Sequence, residues 1–208
     1  WLGNMWKLIC LLFGLCTASM LHAAPLILIY GDSLSAAYGL PAGQGWVRLL
    51  EQKLAPQYRV VNASVSGETT AGGLARLAQT LQQHKPAIVL LELGANDALR
   101  GLPLVQAEKN LADMLKQSRA AGASTLLIGM MLPPNYGAAY TRQFSDMYQR
   151  LARQNNTAFM PFLLEGFAEK PDYFLADGIH PNAQAQPLIA KQVLQQLQPL
   201  LKQKTKRQ

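Results

Sequence analysis

The chain has 208 residues, half of them hydrophobic, which is one domain's worth of sequence and enough to bury about 70% of its unfolded surface without staples. Its formal charge of +7 sits at the ends: with Lys7 near the start and Lys202, Lys204, Lys206 and Arg207 at the finish set aside, the body is close to neutral, and nothing supports nucleic-acid binding. Both cysteines, Cys10 and Cys16, fall in a leader expected to be removed, so disulfides and cysteine catalysis are excluded for the mature chain.

Residues 1–4 precede Met5, the expected start, and are set aside as an extension. Met5-Trp6-Lys7 is a short positive start, followed by an apolar run over 8–21 and the small-residue stretch His22-Ala23-Ala24-Pro25. That is the pattern of a cleavable secretory signal over 1–24, with a periplasmic or secreted destination. The apolar run is shorter than the roughly 18 residues a membrane-spanning helix needs. Leu15 before Cys16 argues against a lipoprotein signal, which wants a small residue there.

From residue 25 to 201, apolar runs alternate with helical patterns. Strands are expected at 26–30, 59–63, 87–93, 125–131 and, more weakly, 157–161. Helices are expected at 46–54, 74–83, 104–121, 144–155 and 186–201. Strands that are apolar throughout, separated by helices, predict an α/β fold with a parallel sheet covered on both faces. The basic stretch 202–208 reads as a solvated tail, with weak attraction to an anionic membrane surface as its one partner role.

In such sheets ligands bind outside the carboxyl ends of the strands, and every conspicuous motif falls there. Gly31-Asp32-Ser33-Leu34-Ser35 follows the first strand, Ser64-Val65-Ser66-Gly67 the second, Gly94-Ala95-Asn96-Asp97 the third, and Leu132-Pro133-Pro134-Asn135-Tyr136 the fourth. Asp177-Gly178-Ile179-His180-Pro181 precedes the last helix. A serine hydroxyl needs an imidazole to take its proton and a carboxylate to orient that imidazole. Of three histidines, His22 lies in the leader and His84 ends a helical pattern, where a polar or cationic residue has an ordinary capping explanation. His180 is left as the base, with Asp177 as its orienting carboxylate and Ser33 as the nucleophile. The backbone N–H groups of Ser33 and Gly67 and the amide of Asn96 are candidate oxyanion donors. Ser64 and Ser66 read as turn residues, Asp32 and Asp97 as loop braces, and Tyr136 and Tyr140 either line a pocket or pack on the surface. Each motif alone is common chain punctuation; the combination is specific.

Together these blocks resemble the four sequence blocks of the GDSL/SGNH hydrolase family, and more closely its exported bacterial thioesterase, lysophospholipase and arylesterase branch, over residues 26–201. The resemblance implies a flavodoxin-like three-layer α/β/α sandwich with a five-stranded parallel sheet. It also implies a catalytic set of Ser33, Asp177 and His180 with Ser33, Gly67 and Asn96 as the oxyanion hole. Acyl esters, thioesters and lysophospholipids are the implied substrates. Leu74, Leu132, Pro133, Pro134 and Tyr136 beside the site favour an apolar acyl chain, and segment 68–73, with Gly72-Gly73, is expected to act as a mobile lid over it. No cofactor or metal is implied, since two histidines and no cysteine make a poor zinc set, and a monomer is expected. Two alternatives stand beside this reading: a carbohydrate acetylesterase of the same superfamily, and a flavodoxin-like phosphate or nucleotide binding module, which leaves Asn96 and the Asp177/His180 pair idle.

Overall fold

The computed structural model describes residues 24–205, so the expected leader, Ala24 apart, and the last residues of the basic tail lie outside the described part. Five strands form one parallel sheet in the order β2-β1-β3-β4-β5. They are β1 (Leu26–Gly31), β2 (Arg59–Asn62), β3 (Ile88–Glu92), β4 (Ser124–Ile128) and β5 (Ala158–Met160). β1 and β3, between other strands, are buried along their whole length. The edge strand β2 is not, and it tolerates the exposed Arg59. The β1 register continues past the strand ends, where the Arg59 N–H donates to the Pro25 carbonyl. Pro25 is therefore already part of the folded body.

Helices α1 (Trp46–Leu54) and α6 (Gln186–Thr205) pack together on one face of the sheet. Helices α2 (Thr70–His84), α4 (Leu104–Ala120) and α5 (Ala138–Asn155) cover the other. This is the three-layer sandwich, with its core made by the strand interiors and the buried helix stripes, such as Leu77 and Leu81 of α2 or Leu111, Met114 and Leu115 of α4.

Three differences from the sequence expectation have physical causes. A short helix α3 (Ala95–Leu99) follows β3; at five residues it is too short to show a period. α5 begins at Ala138 rather than 144, because its first turn, Ala-Ala-Tyr-Thr-Arg, carries no core stripe. α2 begins at Thr70, so the segment expected to be a mobile lid is instead an N-cap and first helical turn. Thr69 caps it by accepting the Gly72 N–H. Thr70 is buried and donates to both oxygens of Asp97, from its N–H at 2.8 Å and its hydroxyl at 2.6 Å. Tyr30 Oη donates to the Gly73 carbonyl at 2.6 Å. Gly73 is there for close packing: a Cβ on it would lie 2.5 Å from Leu93 Cδ1. Glu68 is held by an ion pair with Arg76, nearly two turns into the helix. The lid expectation is thus corrected, since a segment tied at Glu68, Thr69, Thr70 and Gly73 has no free hinge.

Candidate active site

The nucleophile loop begins where β1 ends. Gly31 admits no side chain, because a Cβ there would lie 2.5 Å from Glu92 Oε2 at the end of β3. That oxygen accepts the Ser35 hydroxyl at 2.6 Å and the Asp32 N–H at 3.3 Å. Asp32 in turn accepts the Leu34 N–H through Oδ1 at 3.0 Å, an Asx turn that aims residue 33 outward. Backbone bonds from Ala36 N–H to the Asp32 carbonyl and from Tyr38 N–H to the Ser33 carbonyl wind residues 32–38 into one helical turn. The turn ends at Ala37, a left-handed residue with φ +59°, as a Schellman closure requires, although glycine is the usual occupant. From outside, the buried Trp46 indole donates to the Leu34 carbonyl at 3.1 Å and the Asn62 amide to the Ser35 carbonyl at 2.8 Å.

Two carboxyls are buried under this loop. Burial pushes Glu92 well above the ordinary carboxyl range, and the neighbouring Asp32 charge pushes it further. Both effects favour its protonated form, and its Oε1 has no hydrogen-bond partner. Burial likewise raises Asp32, to about 6, against the opposing pull of the Leu34 N–H, His180 and the Asn96 amide.

The histidine loop is built from local contacts. Asp177 Oδ1 accepts the N–H groups of Ile179 and His180 at 2.9 and 3.0 Å, and its Oδ2 lies 2.7 Å from His180 Nδ1. Partial burial pushes the Asp177 carboxyl up, but these three bonds and the imidazole outweigh it and bring it down to about 2. An ionised Asp177 can only accept, so Nδ1 carries the proton and Nε2 is the bare acceptor. Nε2 lies 2.9 Å from Ser33 Oγ, the geometry in which a hydroxyl passes its proton to an imidazole. The loop's base is closed by the Leu175 N–H to the His180 carbonyl and the Asn182 N–H to the Tyr173 carbonyl, both 2.8 Å. Gln186, buried at the start of α6, joins the halves: its Nε2 donates to the Pro181 carbonyl and its Oε1 accepts the Trp46 N–H.

Asn96 occupies the first turn of α3, after Gly94 at φ +116°. One Asn96 N–H donates to Asp32 Oδ2 at 3.0 Å, which fixes the amide plane and leaves the second for a ligand. Gly67 is also left-handed, at φ +77°, and the Arg100 guanidinium holds its carbonyl at 2.8 Å. Asp97 braces α2 and Asp32 braces Asn96, as the sequence suggested. Ser64 and Ser66 stand apart from the Ser33–His180 pair: the Ser64 N–H closes a turn on Asn62 Oδ1, and Ser66 is exposed. His84 is the last residue of α2.

Of the residues expected to meet an acyl chain, Leu132 is in the core, Leu74 is half-buried, and Pro133, Pro134 and Tyr136 are exposed, the last two in a 3₁₀ turn. Tyr140 ties α5 to α3 through the Ala98 carbonyl at 3.1 Å. Among the described residues no cluster of three His, Cys, Asp or Glu is placed to hold a metal ion. The sequence reading overlooked four contributors: Glu92, Trp46, Gln186 and Tyr38, whose ring lies 4.5 Å from the His180 ring at a 41° tilt. Glu92 left a signal, being the one charged residue inside the apolar run 87–93.

The GDSL-like lipase/acylhydrolase family model matches residues 29–187. The chain is 52% identical over 182 residues to the esterase TesA of Pseudomonas aeruginosa, covering 86% of this chain and 90% of that one. It is 47% identical over 179 residues to the thioesterase 1/protease 1/lysophospholipase L1 of Escherichia coli K12, covering 86% of each. Among solved structures it is similar to the psychrotrophic esterase EstA from Pseudoalteromonas, inhibited by monoethylphosphonate. There the TM-score is 0.81 at 42% identity, over 85% of this chain and 98% of that one.

Proposed function

The chain belongs to the GDSL-like lipase/acylhydrolase family and is a hydrolase of ester bonds, and we propose that it cleaves acyl esters and thioesters through an acyl-enzyme on Ser33. In this mechanism Ser33 Oγ attacks the acyl carbonyl as its proton passes to His180 Nε2. Asp177, ionised and bonded to Nδ1, stabilises the imidazolium that results. The oxyanion is received by the Ser33 and Gly67 N–H groups and the free N–H of Asn96, each donor contributing roughly 3 to 4 kcal/mol to the barrier reduction. The imidazolium then protonates the departing alcohol or thiol, and a water activated by the same ring hydrolyses the acyl-enzyme.

The observation that carries this reading is the continuous line Asp177–His180–Ser33, at 2.7 and 2.9 Å. Inhibition of EstA by a phosphonate accords with it, since phosphorus electrophiles trap activated serines. The test is Ser33→Ala with fluorophosphonate labelling. Ester turnover should fall by roughly four orders of magnitude or more with the melting temperature unchanged, because only one half-buried hydroxyl is lost. An adduct on Ser35, Ser64 or Ser66 would overturn the assignment. The folded body acts outside the cytoplasm as a monomer in this reading, and sequencing of exported material should place its N-terminus within a residue or two of Pro25.

A further inference from the structure

The exposed large hydrophobic residues are not scattered. Among the described residues there are seven, and all lie on segments at the carboxyl edge of the sheet, where the Ser33 cleft opens. Tyr38 is in the nucleophile loop, Val65 precedes Gly67, and Ile179 adjoins His180. Leu102 and Val105 flank the start of α4, with Val105 75% exposed, and Met131 and Tyr136 follow β4. An isolated exposed side chain of this kind is ordinary; a whole set confined to one edge of the sheet marks a contact surface.

Charge is distributed the other way. Residues 33–45 and 129–137 contain no ionisable side chain except tyrosines, and Glu68 of the third rim loop is neutralised by Arg76. Lys53 in α1, Arg119 in α4 and Arg153 in α5 end their helices at the amino edge, while at the carboxyl edge Arg100 is engaged with the Gly67 carbonyl and Arg48 and Arg142 lie in the first turns of α1 and α5. α6 also runs to the amino edge, with Lys202 near its end. An anionic membrane bound at that edge would have the cleft turned away from it.

We propose that the apolar rim round the Ser33 cleft is a docking surface for an uncharged or zwitterionic lipid phase, which seats the cleft on assembled acyl lipids. The proposal rests on the esterase reading for its substrate, and on the confinement of exposed apolar side chains to one edge and the uncharged segments 33–45 and 129–137 for its orientation. Apolar side chains enter such an interface while the few charges stay in water, and binding is driven by buried apolar area rather than by counter-ions.

The test uses the mature chain carrying Ser33→Ala, so that binding is measured without turnover, on phosphatidylcholine vesicles with and without phosphatidylglycerol. Partitioning should occur on phosphatidylcholine alone and persist in 0.5 M salt, where the Debye length has shrunk to about 4 Å. Val65→Ser combined with Val105→Ser should weaken it by about tenfold or more. In the active chain the same pair should slow hydrolysis of micellar lysophosphatidylcholine severalfold while leaving p-nitrophenyl butyrate turnover within twofold. No vesicle binding, binding that needs phosphatidylglycerol or vanishes with salt, or equal loss on both substrates would overturn the proposal. A dimer that dissolves in the double variant would assign the rim to a second copy instead. Failure to hydrolyse p-nitrophenyl butyrate at all would overturn the esterase reading and leave the vesicle result standing.

Discussion

The nucleophile loop and the histidine loop meet at one 2.9 Å contact, yet they are held in opposite ways. Residues 32–35 are mostly buried and fixed by partners far away in sequence: Glu92, Asn62 and Trp46. Asp177 to His180 is exposed except for the half-buried His180 and is fixed largely by itself, one carboxylate gathering two N–H groups and the ring within three residues. A serine oxygen must sit at one point relative to separate oxyanion donors, which requires a scaffold common to all of them. An imidazole needs only a direction and a tautomer, which a neighbouring carboxylate supplies.

The largest effect expected from breaking this contrast lies on the local side. Asp177→Asn keeps the loop's shape but presents an amide to His180. The amide N–H can donate to Nδ1, which moves the ring proton to Nε2 and points it at Ser33 Oγ. Activity should fall by about 10³ to 10⁴ with little change in KM. Because the Asp177 carboxyl is lowered to about 2, wild-type activity lost between pH 7 and 4 belongs to another group. The sign for stability follows: this depressed carboxyl favours the fold above its ordinary range near 3.8 and withdraws that support as pH falls towards 2. An Asp177→Asn variant with the wild-type rate would mean that the carboxylate does not set the tautomer.

On the scaffolded side the next effect is smaller. Asn96→Ala removes one oxyanion donor and also the Asp32 Oδ2 contact at 3.0 Å, and kcat should drop about 10² to 10³. Asp32→Asn separates the two: its one amide oxygen can still accept the Leu34 N–H, but its NH₂ then faces the Asn96 amide, so if Asp32 acts by positioning Asn96 the rate should fall, by less than for Asn96→Ala, with KM little changed. A rise in KM at unchanged kcat for Asn96→Ala would make it a ground-state contact.

The same contrast explains what was legible in the sequence. Asp177, Ile179 and His180 bond within a five-residue motif, and strand alternation puts Ser33, Gly67 and Asn96 at the sheet's carboxyl edge, so fold class and proposed catalytic set could both be read. Glu92, Gln186 and Trp46 act across 57, 140 and 12 residues of sequence, and no period or motif links them. Gly72-Gly73 misled for a related reason. Paired glycines read locally as a hinge, whereas Gly73 is required by Leu93, twenty positions on, and only the packed structure shows that.

Glu92 gives the long-range side a test with a pH signature. Its raised ionisation favours the fold below the ordinary value of 4.5, and that contribution is lost as pH climbs towards the folded-state value. Glu92→Gln resembles the protonated acid and should fold at neutral pH with the Ser35 and Asp32 contacts kept. Its urea midpoint relative to wild type should improve as pH rises above the ordinary value of 4.5. Glu92→Ala strands two polar groups and opens a cavity, and should cost about 2 to 4 kcal/mol. A Gln variant whose relative stability ignores pH would show that Glu92 is ionised in the fold.

The smallest effect concerns the one aromatic side chain that leaves the nucleophile loop for the histidine loop. Tyr38 is about half exposed, and the left-handed Ala37 before it turns it onto His180. Gly45 leaves room for that turn, since a Cβ there would lie 2.5 Å from Ala37 Cβ. A ring face beside an imidazole favours its cationic form by about 0.5 to 1 kcal/mol at an exposed site, and the imidazolium exists only once proton transfer has begun. Tyr38→Ala should therefore lower kcat about two- to fivefold at constant KM, and Tyr38→Phe, which keeps the face, should restore it. The pairing also couples the loops, so Tyr38→Ala combined with Asp177→Asn should lose less than the product of the single losses. If Tyr38→Ala instead raises KM alone, the ring serves the acyl chain, and Ser33 and His180 are joined only by their hydrogen bond.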